Sequence, residues 1–126
     1  MAPVRVLVVD DEESIRQFMT RALASRGYVV ASASGAEEAL DIAARQGPFE
    51  LCVIDVLMPG MHGHELGRLL RRKDPDLKIL YFTGYSDRLF DSTHTLSANE
   101  AFLEKPVSVE GLLEAVSLLL FGRIGS

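Results

Sequence analysis

The chain has 126 residues, 48% of them hydrophobic and 25% charged, with a net charge of −5. That length suits one domain with a substantial core and is short for two. The acidic balance argues against a surface that coats nucleic acid, the single cysteine (Cys52) excludes an intrachain disulfide, and no apolar run reaches membrane-spanning length. A single cytoplasmic domain over 1–126 is expected, with no direct nucleic-acid or membrane partner.

In chain order, "VRVLVV" (4–9) predicts a first strand. Ile15, Phe18, Met19, Ala22 and Leu23 then follow the i, i+3, i+4, i+7, i+8 stripe of an amphipathic helix that Gly27 is placed to end. "YVVASA" (28–33) predicts the second strand. Ala36, Ala39, Leu40 and Ala43 make the next helical stripe, opened by Ser34 with Glu37 as a capping box. "LCVI" (51–54) is the third strand, and Leu66, Leu69 and Leu70 mark a helix. The one cluster of basic residues, Arg68, Arg71, Arg72 and Lys73, falls at that helix's end, where it suits the helix dipole as solvated charge. "KILYF" (78–82) and "AFLE" (101–104) predict strands four and five. Between them 87–97 is a weak helix, its serines and threonines competing for the backbone. A strong helix over 109–121, capped by Ser108, closes the chain.

Strands one, three and four are apolar almost without alternation, as strands buried on both faces are. Five βα units with right-handed crossovers predict a doubly wound α/β fold with a five-stranded parallel sheet. Ligands of such folds bind beyond the carboxyl ends of the strands. Asp10 and Asp11 follow strand one, with Glu12 and Glu13 behind them. Asp55 ends strand three, Thr83-Gly84 follows strand four and Lys105-Pro106 follows strand five.

Three converging carboxylates repel unless a cation joins them. Mg²⁺ suits such an all-oxygen site, because it takes one or two carboxylates and keeps waters or phosphate oxygens as its other ligands. Lys105 would add a fixed positive charge and Thr83 a hydroxyl donor. Together they offer what a transferring phosphoryl group needs, with Asp55 as nucleophile. Each residue alone has a plainer reading. Asp10 and Asp11 suit a helix start, Asp55 and Thr83 a turn, and Lys105 a solvated surface. Their common position after strands on one sheet edge favours a site.

"VLVVDDEESIR", "VIDVLMPGMHG", "YFTGYSD" and "FLEKPVS" stand in the order and spacing of the response-regulator receiver domain, and the chain resembles that family over essentially its whole length. The resemblance implies a flavodoxin-like sheet of order 2-1-3-4-5. It implies Asp55 as the phosphorylated residue, and Asp10 and Asp11 as the metal-binding pair, with Asp11 favoured as direct ligand. The Leu57 carbonyl would complete the protein's Mg²⁺ ligands. Thr83 and Lys105 would contact the phosphoryl oxygens, Thr83 and Phe102 would form the switch, and a cis peptide would precede Pro106. The implied donor is a phosphohistidine on a histidine kinase or histidine phosphotransfer protein. Such a module catalyses only its own phosphorylation and dephosphorylation and is not otherwise an enzyme. A stand-alone regulator is expected; the alternative is a receiver excised from a hybrid kinase or a DNA-binding regulator.

Several residues depart from the family pattern. His62 stands where the family often has Asp, and a solvated His62/His64 pair is favoured over a metal site. Phe102 has no hydroxyl, so a switch by it rests on packing. Leu57 and Tyr85, each two residues beyond a site residue, are expected to hinder water and prolong the phosphoryl state. In the last helix Val109, Leu112, Leu113, Val116, Leu119 and Leu120 suffice for the core. Ala115, Leu118 and Phe121 are left on another side. With strand five and the 87–97 helix they would form a homodimer or target-docking face, unless the C-terminal tail covers them.

Two enzyme-like classes fit less well. A haloacid-dehalogenase-type phosphatase needs Asp-x-Asp after the first strand, which "VVDDEES" lacks. A flavodoxin needs a phosphate-binding loop that four consecutive acids would disfavour.

Overall fold

The computed structural model describes residues 3–84, 99–104 and 107–122. Nine elements follow in order: β1 (Arg5–Val9), α1 (Glu13–Ala24), β2 (Val29–Ala33), α2 (Ala36–Gln46), β3 (Leu51–Asp55), α3 (Gly63–Lys73), β4 (Lys78–Thr83), β5 (Glu100–Glu104) and α4 (Val109–Phe121). All strand pairs are parallel, in the order β2-β1-β3-β4-β5. The expected sheet is therefore present. Four helices rather than five stand among the described residues, because the 87–97 segment lies outside them.

Strand periodicity explains the unalternating apolar runs. Leu7, Val9, Cys52, Ile54, Ile79 and Tyr81 face one way, into a cluster with Ala39 of α2 and Leu66 and Leu70 of α3. Val6, Val8, Leu51, Val53, Leu80 and Phe82 face the other way, onto Met19, Ala22 and Leu23 of α1 and Leu112, Leu113 and Val116 of α4. Successive strand residues thus feed two separate cores, and both must be apolar. β3, at the centre, is buried at all five positions. β2 lies at an edge, and its Val29 is exposed.

The helix boundaries refine the sequence expectations. Gly27 adopts φ +85° just past α1, as its placement predicts. Ser108 caps α4, its Oγ accepting from the Gly111 N–H at 2.9 Å. The start of α2 differs. Its N-cap is Gly35, with no side-chain bond, and Glu38 rather than Glu37 reaches back to Ser34. One Glu38 oxygen accepts from Ser34 N–H at 2.7 Å and Ser34 Oγ–H at 2.9 Å. The cap is displaced by one residue because glycine takes the extended Ncap position. These bonds, the backbone one first, hold the Glu38 carboxyl below its usual range.

Two side chains depart from their expected faces. Val109 is 40% exposed instead of core-facing, because it sits in the first turn of α4 at the seam with Phe18 and Ala22 of α1. Arg71 does not join the exposed Arg68, Arg72 and Lys73. It turns inward to within 3.7 Å of Glu100, which also accepts from the buried Tyr81 hydroxyl at 3.2 Å. Leu118 and Phe121 are 47% and 51% exposed, as the helix stripe implies. The tail that would cover them, from residue 123, lies outside the described residues. No helix among the described residues is long and apolar enough to cross a membrane.

Candidate metal and acidic site

The site grows out of the end of β1. Asp10 follows Val9 and is fully buried, its N–H donating to the Ala33 carbonyl of β2 at 3.2 Å. Its Oδ1 accepts from the Glu12 N–H at 2.8 Å, and its own carbonyl accepts from Arg16 Nη1 at 2.7 Å. The plainer reading of the acidic pair as helix caps therefore does not describe Asp10. The N-cap of α1 is Glu12, with no side-chain cap bond, and Asp10 fastens the loop before it. Asp11 is exposed.

Asp55 ends β3 and is 3% exposed, in register with Phe82 of β4. The chain then turns sharply. Val56 N–H donates to the Phe82 carbonyl at 3.1 Å, and Gly63 N–H donates back to the Val56 carbonyl at 2.8 Å. The start of α3 is thereby drawn against the end of β3. A Cβ at Gly63 would run into the Asp55 carbonyl oxygen and lie 2.8 Å from Ile54 Cγ2. Between these anchors Gly60 takes φ +89°, a conformation that only glycine adopts at low cost.

Oxygen atoms of Asp10, Asp11 and Asp55 lie within 4.8 Å of one another, two of the three residues being buried. Carboxylates this close repel, and a divalent cation relieves the repulsion. The donor set is entirely hard oxygen, which fits Mg²⁺ rather than a thiolate- or imidazole-preferring metal. His62, the exposed N-cap of α3, and half-buried His64 join no such grouping among the described residues.

Thr83 ends β4 beside Asp55's neighbour Phe82. It is 8% exposed, and its hydroxyl donates to the Gly84 carbonyl at 3.3 Å. Thr83 is in register with Glu104, the last residue of β5. Lys105 comes next in the chain but lies outside the described residues, as do Tyr85 and Pro106. The cis X-Pro peptide among the described residues is Gly47–Pro48, in the loop that leads into β3. The Leu57 side chain is 49% exposed next to the site. Phe102 is half-buried, its ring 5.5 Å from that of Tyr81 at an interplanar angle of 42°.

Asp10, Asp11, Asp55 and Thr83 thus share one edge. Sequence reasoning missed the contributions of Arg16 and Gly63. Arg16 lies outside the apolar stripe expected for that helix, and Gly63 stands in "VIDVLMPGMHG" with no role assigned to it. The run Pro59-Gly60-Met61-His62-Gly63 carries a signal for the second, since a glycine at a helix start next to a site marks close backbone approach.

A doubly wound sheet with converging carboxylates at its switch point defines an α/β domain whose acidic edge fits a hard cation. The response regulator receiver domain model matches residues 6–117, and the chain belongs to that family, part of two-component signalling. It is 40% identical to sensor kinase CckA of Brucella abortus over 91% of this chain and 12% of that protein. It is also 40% identical to response regulator MprA of Mycolicibacterium vanbaalenii, over 94% of this chain and 51% of that protein. The chain thus spans only part of these relatives' length. Among solved structures it resembles response regulator TrrA of Thermotoga maritima in complex with Mg²⁺-BeF, with a TM-score of 0.80 and 35% identity over 93% of this chain and 99% of that one.

Proposed function

We propose that this domain accepts a phosphoryl group on Asp55 from a phosphohistidine of a histidine kinase or histidine phosphotransfer protein. The observation that carries the reading is the convergence of Asp10, Asp11 and Asp55 beyond β1 and β3. In the transfer, an Asp55 carboxylate oxygen forms the new bond to phosphorus. The phosphorus–nitrogen bond to the donor imidazole breaks, and the departing nitrogen is reprotonated. Asp10, Asp11, Asp55 and the Leu57 carbonyl would hold Mg²⁺, which when bound neutralises charge on the phosphoryl oxygens. Thr83 and Lys105 donate to those oxygens. The apolar strand behind Asp55 fixes the nucleophile at the rim without exposing it. The domain turns over no external substrate beyond its own phosphorylation and dephosphorylation.

Thr83 and Phe102 form the switch, Phe102 through its packing on Tyr81. The output face combines β5 with the outer side of α4, where Leu118 and Phe121 are exposed. Light scattering with and without a phosphoryl mimic separates a second copy from a different partner on that face. The module acts as a stand-alone regulator or as the receiver of a longer kinase or DNA-binding regulator. The partial coverage of both relatives supports the second setting.

Acetyl phosphate with Mg²⁺ should label the wild-type chain and leave D55A unlabelled; labelling that persists in D55A would sink the assignment. Leu57 bears on the reverse reaction. Its side chain is apolar and exposed two residues beyond Asp55, where it would keep a water from being oriented for attack on the acyl phosphate. An asparagine at that position supplies a hydrogen-bond partner for the water. L57N is expected to shorten the half-life of the phosphorylated chain by about fivefold, the worth of one hydrogen bond of about 1 kcal/mol to the attacking water. An unchanged half-life would remove Leu57 from this role.

A further inference from the structure

We propose that Arg16 is a positioning residue of the acidic site: by holding the Asp10 carbonyl, its guanidinium fixes the β1–α1 loop that sets Asp10 and Asp11 around a divalent cation. The inference rests on the metal-binding reading of that site and adds to it a residue one helical turn inside α1.

Asp10 is fastened from three directions. β2 takes its N–H through Ala33, the Glu12 N–H takes its Oδ1, and Arg16 takes its carbonyl at 2.7 Å. The first bond aligns the residue with the sheet, and the second sets the carboxylate rotamer. The second also closes a turn across the peptide unit between Asp10 and Asp11, whose rotation decides where the Asp11 carboxylate points. The Arg16 bond holds the same unit by its carbonyl. A charged donor to a carbonyl gives one of the stronger hydrogen bonds available, and Arg16 is half-buried, so solvent competes with it only in part.

Charge supports the same conclusion. Asp10, Asp11, Glu12 and Glu13 are consecutive, and Arg16 is the cation that α1 brings back over them. The field of Arg16 also reaches Glu38 of α2 and favours its ionised form. Glu38 in turn holds Ser34, the residue after Ala33. Arg16 is thus bonded to the loop after β1 and faces, through its charge, the Glu38 that holds the loop after β2.

Removing a cation near a metal site has two opposed effects. Losing the tether weakens Mg²⁺ binding, whereas losing the positive charge strengthens it. R16K keeps the charge and loses the planar fork; R16Q loses both. Calorimetry with MgCl₂ and amide hydrogen exchange on the metal-free chain separate the two effects. R16K is expected to raise the Mg²⁺ Kd about fivefold, with R16Q closer to wild type because its lost charge offsets part of the loss. In R16Q the protection of the Asp10 and Glu12 amides should fall by about tenfold, while the amides of β3 keep theirs. Protection unchanged at both amides in both variants would overturn the proposal, as would tighter Mg²⁺ binding in R16Q with R16K unchanged. A wild-type chain that binds no Mg²⁺ would instead overturn the metal reading, and the exchange measurement would still decide the tether.

Discussion

Replacing Gly63 by alanine is expected to destabilise the domain by about 3 kcal/mol, the upper range for overpacking a rigid site. The added methyl would occupy the space of the Asp55 carbonyl oxygen and press on Ile54 Cγ2. Neither neighbour is the free end of a flexible side chain. Ile54 is fully buried, and the Asp55 main chain is tied into β3. Alanine's better helix propensity, about 1 kcal/mol, offsets only part of this. For a chain of this size the melting temperature should fall by about 10 °C. The second effect is on chemistry. Relief of the clash requires α3 to back away from β3, breaking the 2.8 Å bond from Gly63 N–H to the Val56 carbonyl and moving Asp55 with it. A displacement near 1 Å at a reacting group costs about 100-fold in rate. Labelling by acetyl phosphate, measured well below the melting temperature of G63A, should drop by that order. Wild-type stability together with wild-type labelling would mean that α3 can begin one residue later without cost.

Asp11→Asn should act in opposite directions on the two forms of the protein. Asp11 is the exposed member of the acidic trio, so its charge can be removed without leaving a buried cavity or an unmet hydrogen bond. In the metal-free chain the substitution relieves repulsion with Asp10 and Asp55, and the melting temperature should rise. With Mg²⁺ the order reverses. Losing a direct ligand is expected to weaken the ion by about 100-fold or more, since even indirect ligand contacts carry ten- to a hundredfold. At a Mg²⁺ concentration ten times the wild-type Kd, binding stabilises the wild-type fold by about 1.4 kcal/mol and the variant by less than about 0.1 kcal/mol. Thermal melts with and without MgCl₂ should therefore cross. Parallel shifts in both chains would show that Asp11 does not hold the ion, and the role would pass to Asp10 and Asp55 alone.

Much of this arrangement was legible in the amino-acid order because parallel sheets impose a strong pattern. "VRVLVV", "LCVI" and "KILYF" are apolar at successive positions because odd and even residues each meet a core. Strand ends in such folds define the ligand edge, so Asp10, Asp11, Asp55 and Thr83 followed from counting. The parts that escaped depend on main-chain atoms, which every residue shares. The bond from Arg16 to the Asp10 carbonyl has no residue-type signature at its acceptor. The need for glycine at 63 comes from a backbone oxygen eight residues earlier. The capping partner was misassigned by one residue because Glu37 and Glu38 are chemically alike, and only the extended Gly35 decides between them. Val109 fits the apolar stripe of α4 yet lies at its first turn, where helical periodicity says nothing about whether a neighbour covers it.

The burial of β3 has a practical consequence. Cys52 sits at its second position with no exposure, and burial pushes its thiol well above the usual range, so it is inert in the folded state. As the chain's sole sulfhydryl, it is a built-in clock for opening of the central strand. A disulfide reagent can reach it only when α2 and α3 lift from this face or the strand itself opens, so the modification rate measures how often that happens. Asp55 stands three residues further along the same strand. Whatever occupies the acidic edge should therefore be readable at this sulfur as a slower reaction, with no label, tag or added chromophore in the protein.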